Sequence, residues 1–138
     1  MTEETELFLV SLLEPLPGLS GVVPVRQSKA DNPLVRPIVL VSAQYHETLI
    51  PSDRPVARIN YEVILETQVN ETDIETHQDL IGVLALGLPT YGLFTGGQTT
   101  FDQVFFGPIT GAQDTKNELI RSYTFQSYLV GRLTVPTP

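Results

Sequence analysis

Residues 56–69 read Val56-Ala57-Arg58-Ile59-Asn60-Tyr61-Glu62-Val63-Ile64-Leu65-Glu66-Thr67-Gln68-Val69, and their alternation decides the fold. The odd positions carry Ala57, Ile59, Tyr61, Val63, Leu65, Thr67 and Val69, the even ones Val56, Arg58, Asn60, Glu62, Ile64, Glu66 and Gln68. Successive side chains of a strand point to opposite faces, so one face is apolar and the other largely polar. Such a strand is long, antiparallel and half-buried, with one side on a core and the other toward water or a partner. β-Branched and aromatic residues suit it, and neither Gly nor Pro interrupts it.

Upstream, Thr5 to Leu13 holds Leu7, Phe8, Val10, Leu12 and Leu13 behind Glu3, Glu4 and Glu6. Acidic residues favour a helix N-terminus and Pro15 and Pro17 end a helix, so a short helix is predicted, with a strand as the alternative. Pro17-Gly18 and Gly21 mark a turn before a short strand with Val22, Val23 and Val25, and Lys29-Ala30-Asp31-Asn32-Pro33 is a second turn. The continuous run Ile38-Val39-Leu40-Val41 suits a strand buried on both faces, with Pro37 near its beginning because proline cannot donate to the ladder. Tyr45 to Pro55, with Pro51, Asp53 and Pro55, reads as a long loop closing a hairpin with residues 56–69.

Downstream the period changes. Thr72-Asp73-Ile74-Glu75 fits a capping box, with Thr72 as cap. Ile74, His77, Ile81, Leu84, Ala85 and Leu88 follow at helical spacing with Leu80 at the stripe's edge, and Gly87 and Pro89 supply the stop. Thr90 to Thr100 reads as a Gly-rich loop. Gln103 to Ile109 reads as a strand, with a bulge, bend or early end at Gly107-Pro108, and Gly111 to Asn117 as a second loop. Glu118 to Val135 alternates again, with Leu119, Tyr123, Phe125, Leu129 and Leu133 opposite Ser122, Thr124, Gln126 and Arg132; Pro136 to Pro138 is a tail without structure of its own. The prediction is a single α+β domain over residues 1–138, a mostly antiparallel β-sheet packed by two helices.

Composition narrows the function. The chain has no Cys, which excludes a disulfide framework, a thiol nucleophile and any Cys-containing zinc site. No apolar run approaches the roughly 20 residues that span a bilayer, and the acidic start is unlike a signal peptide, so the expectation is a soluble cytosolic product with no membrane partner. A formal charge of −8 argues against a protein that grips nucleic-acid phosphates.

Few residues form a catalytic pattern. His46 and His77 are the only histidines and do not stand at metal-ligand spacing; His77, on the inward helical stripe, is expected to hydrogen-bond backbone or a carboxylate. Asp73, Glu75 and Asp79 lack the alternating ligands and central Gly of a calcium loop and read as helix-start acids. The Gly92 to Gly97 stretch lacks the Lys-Ser/Thr of a phosphate loop. Glu62 and Glu66, four residues apart on one strand face, stand roughly 13 Å apart, too far for a catalytic pair. The expectation is no enzyme, cofactor or metal. An assembly surface fits better: Ile64 stands amid the charges of the polar strand face, and two Gly-rich loops flank Phe105-Phe106.

Arg36-Pro37-Ile38-Val39-Leu40-Val41, the long alternating strand, the capped helix with His77-Gln78-Asp79-Leu80 and a final strand around Tyr123-Thr124-Phe125 together resemble the tail terminator proteins of long-tailed bacteriophages, also called tail completion or minor tail proteins. The resemblance spans Val22 to Leu133 and rests on length, element order and hydrophobic pattern; Pro15-Leu16-Pro17-Gly18 departs from it by shortening the first helix. It implies a homo-oligomeric ring, usually a hexamer, that caps the tail tube, stops its polymerisation and offers a docking surface to the head-closure or connector protein. It implies a place in the virion at the head–tail junction, reached from the host cytoplasm, with double-stranded DNA passing through the lumen unbound. Six copies at −8 each would carry −48, and an acidic lumen repels phosphates. Arg36, Arg54, Arg58, Arg121 and Arg132 then become candidates for subunit or tail-tube contacts through paired carboxylates, alongside Glu62, Ile64, Glu66, Phe105 and Phe106. The alternatives are another junction or tail component, such as a head-closure or tube-related protein, and a small-ligand-binding α+β domain.

Overall fold

A computed structural model describes residues 2–28, 36–51, 56–88, 92–95, 101–117 and 119–133. The elements run α1 (Thr2–Leu13), β1 (Val25–Gln27), β2 (Ile38–Ile50), β3 (Val56–Gln68), α2 (Ile74–Gly87), β4 (Gly92–Thr95), β5 (Phe101–Phe106), β6 (Gly111–Lys116) and β7 (Ile120–Leu133). Their sheet has the order β1-β2-β3-β7-β5-β4, with β6 also paired to β7. Only β1 and β2 are parallel among the paired strands, so the fold is the expected α+β with a mostly antiparallel sheet.

β3 is the sheet's centre. It pairs along its whole length with β7, from Val56↔Arg132 to Gln68↔Ile120, and with β2 on its other side. Burial alternates residue by residue: Ala57, Ile59, Tyr61, Val63, Leu65 and Thr67 are buried, and the even positions are half-buried. The odd face meets Leu9 and Leu13 of α1, Leu80 and Leu84 of α2, and Phe106, Phe125 and Leu129 of the neighbouring strands in one core. Burying such side chains contributes about 1.5–3 kcal/mol each before chain entropy is opposed, so this face fixes the register.

The turn that follows α1 approaches α2 closely. Gly18 sits at φ +98°, and a Cβ there would stand 3.0 Å from Val83 of α2. Glycine is needed on both counts, for the left-handed backbone and for the tight contact.

Several elements differ from expectation. Residues 45–50 continue β2 rather than forming a loop, because their backbone pairs with β3 down to Ile50↔Val56. Extra residues at His46 and Leu49 shift the register twice. Gly92–Thr95 is a strand within the stretch read as a loop, paired with β5. Residues 111–116 are also a strand, β6, held by backbone pairing to β7 with most of its side chains in solvent. Asp73, not Thr72, caps α2: its carboxylate accepts from the Thr76 N–H at 2.7 Å, while Thr72 is buried. Those bonds from Thr76 hold the Asp73 carboxyl below its ordinary pKa. The buried stripe of α2 is His77, Leu80 and Leu84; Ala85 is exposed and Ile74 about half so.

The break at Gly107-Pro108 is where the sequence places it. β5 and β6 lie along the same edge of β7, and residues 107–110 bulge out between Phe106↔Leu129 and Gly111↔Gln126. The Ser127 hydroxyl lies within hydrogen-bonding distance of the carbonyls of Gly107 and Pro108, and the Gly107 and Thr110 N–H groups reach Tyr128 and Gln126 carbonyls. The bulge is thus hydrogen-bonded throughout rather than loose. Residues 134–138, which include the predicted tail, lie outside the described residues.

Candidate functional site

No helix among the described residues packs on the even face of β3. Register brings Arg58, Asn60, Glu62, Ile64 and Glu66 of β3 alongside Leu40, Ser42 and Gln44 of β2 and Ser122, Thr124, Gln126, Tyr128 and Val130 of β7. A shallow cavity of about 370 Å³ sits here, lined by Ser42, Gln44, Arg58, Asn60, Glu62, Thr110 and Gln126 with Tyr61 and Ser127.

Its charged groups are largely engaged within the chain. Arg36 donates through Nε to Glu66 Oε1 at 3.2 Å, and its Nη2 lies at the same distance from that oxygen. Both side chains are mostly buried, so this pair is less screened than an exposed one. Arg58 lies 4.1 Å above the centre of the Tyr128 ring and donates to Asn60 Oδ1 at 3.3 Å. Glu62 accepts from Gln126 Nε2 at 3.2 Å, between residues that are direct cross-strand partners. Asn60 in turn contacts His46 Nδ1 at 3.3 Å. Ile64 lies half-buried between Leu40 and Thr124.

The remaining predicted contact residues scatter. Arg121 donates from Nη1 to the Thr72 carbonyl at 2.9 Å and so ties β7 to the turn before α2. Arg132 is half-buried near the far end of β7, opposite Val56. Phe105 is 38% exposed, beside Val130. Phe106 points the other way: it is 1% exposed and stacks on Phe8 at 6.1 Å, so the core takes it and it cannot meet a partner. Alternation along β5 makes that division inevitable. Arg54 lies outside the described residues.

Two buried polar groups stand out: Glu6, which the sequence presents only as a helix-start acid, and His77, which it places on the inward stripe of α2. Glu6 is 1% exposed, and its carboxylate accepts from the Ala43 N–H at 2.8 Å and Gln27 Nε2 at 3.1 Å. β1 ends at Gln27↔Val41, so Ala43 has no strand partner on that side and the carboxylate takes a carbonyl's place. The signal was present in Glu6 standing one turn before Val10 on an otherwise apolar face, but helix-start acids read the same way. His77 bonds the Thr67 hydroxyl through Nδ1 at 2.7 Å, a hydroxyl rather than the expected backbone or carboxylate, and its Nε2 has no protein partner. Burial pushes the His77 pKa down from its ordinary 6.5, the Asp114 carboxylate opposes that, and the Arg121 charge adds to it.

No three His, Asp or Glu side chains gather at metal-binding distance among the described residues. No helix among them is long and apolar enough to cross a membrane.

No protein-family model and no curated protein matches the chain. A solved structure whose own designation carries no functional description superposes with a TM-score of 0.58 at 14% identity, covering 99% of this chain and 94% of that one. At that identity the likeness concerns the fold alone. These features define an α+β protein with one sheet face covered by helices and a polar, half-buried opposite face.

Proposed function

We propose that this chain is a structural assembly protein of the tail terminator kind, a ring subunit that caps a phage tail tube and receives the head connector. The observation that carries the reading is the sheet: a long β3–β7 ladder with two helices packed on its odd face and polar, half-buried side chains on the even one. Arg36–Glu66, Arg58 on Tyr128 and Gln126 on Glu62 stiffen that face and leave it suited to contact rather than chemistry. With a charge of −8 per copy, a ring of such subunits would let DNA slide past without adhering. The order of strands, the helix α2 and further strands from residue 22 onward supports the reading.

Phage assembled without this gene tests the reading. Overlong tubes lacking heads are the expected result. DNA-leaking heads beside tails of normal length would instead assign the protein to head closure. Tails of correct length joined to full capsids would remove it from the junction. The cavity around Arg58 and Gln126 favours a second reading, a small-ligand domain, and a thermal-shift screen that finds a specific stabilising compound would support it.

A further inference from the structure

Besides the end strands β1 and β4, two stretches among the described residues lack a strand on their outer side. β1 covers β2 only as far as Val41, Glu6 caps the Ala43 N–H, and from Gln44 to Ile50 no described strand lies on β2's outer side. β6 pairs β7 on one side, and no described strand lies on its other. The β2 stretch is exposed throughout, with Tyr45, Leu49 and Ile50 at 46%, 46% and 50%, and residues 112–116 of β6 are exposed too. Open edges with apolar side chains are templates for pairing. The bulges at His46 and Leu49 make the β2 edge irregular, which excludes most chance partners without covering those three side chains.

We propose that the occupant is a second copy: residues 44–50 of β2 pair with residues 111–116 of β6 of the next subunit, head to tail. Three features of the chain carry this. The directions agree, because β2, β3, β7 and β6 alternate and a β6 of the neighbour set against β2 continues the antiparallel series. The lengths agree, at seven residues against six. The levels differ in a useful way. β6 lies across β7 from Glu62 to Thr67 of β3, whereas the open part of β2 lies against Val56 to Asn60. Each junction therefore slips by about six residues, roughly 20 Å at ~3.3 Å per residue. Four strands at ~4.8 Å span roughly 19 Å, so the strands would tilt by about 45°, at the upper end of what closed barrels use. A heterologous contact of this kind closes into a ring when its rotation allows, and the pairing rests on the ring reading above.

The chain has no cysteine, so introduced thiols report this contact without background. Purified Thr48→Cys protein is mixed with Ala112→Cys, Gln113→Cys or Thr115→Cys protein, at high concentration and under mild oxidation. One of the three mixtures is expected to give a mixed disulfide several-fold above a control mixture with Gln78→Cys on the helix layer. Thr48–Thr48 dimers in excess would overturn the proposal in favour of a two-fold contact between β2 edges. Equal yields with the helix control, or no cross-link at all, would overturn it too. Rings that form without the mixed disulfide would sink the edge pairing and spare the ring reading. Cross-linked chains that never close, from a protein whose loss leaves tails normal, would keep the pairing and sink the ring reading.

Discussion

Glu6 shows how a single carboxylate can replace a strand. Its carboxylate accepts from a backbone N–H that β1 is too short to reach, and also from the Gln27 side-chain amide. Glu6→Ala leaves that part-buried donor without its carboxylate, at a cost of about 1–3 kcal/mol at most, readable as a lower urea midpoint. His77 offers a second test, with its sign fixed by burial. Its folded pKa lies below 6.5, so above 6.5 the residue is neutral in both states and adds no pH dependence. As pH falls from 6.5 toward the depressed folded value, the unfolded chain takes the proton first and stability drops; below that value the loss levels off. Denaturation midpoints across this window should slope for the natural protein and flatten for His77→Gln. A slope that survives the substitution would assign the effect to carboxylates instead.

At the scale of elements, what was legible followed hydrophobic period. β3 and α2 came out within a residue or so of their observed bounds because burial on one face imposes a strict repeat. β6 was illegible for the opposite reason. Gly111-Ala112-Gln113-Asp114-Thr115-Lys116 buries almost nothing, so its pairing to β7 is a matter of backbone and leaves no side-chain trace. The outer half of β2 hid likewise, because Pro51, Asp53 and Pro55 make the whole stretch from Tyr45 read as a loop, whereas the arm runs on to Ile50. The candidate site divided along the same line. Arg58, Glu62, Ile64 and Glu66 share a face as read, whereas Phe105 and Phe106, adjacent in sequence, part to opposite faces. Phe106→Ala should therefore cost about 3–5 kcal/mol in chemical denaturation, and Phe105→Ala clearly less. A similar loss for both would mean that β5 is more deeply buried than its alternation implies.

For the molecule as a whole, the proposed function rests on faces and edges rather than on a local motif. The core lies on one face of the sheet, the other face carries the polar side chains of β2, β3 and β7, and among the described residues the open stretches of β2 and β6 lie on opposite sides of that sheet. The ladder between β3 and β7 has a mechanical consequence. Its thirteen consecutive residue pairs run unbroken, whereas the far edge of β7 is divided between β5 and β6 by the bulge. Tension applied along the strands would load the unbroken ladder in shear, every rung sharing the strain at once. On the divided side each short segment would give way separately, so under pull the molecule would fray at its margin long before its spine parted.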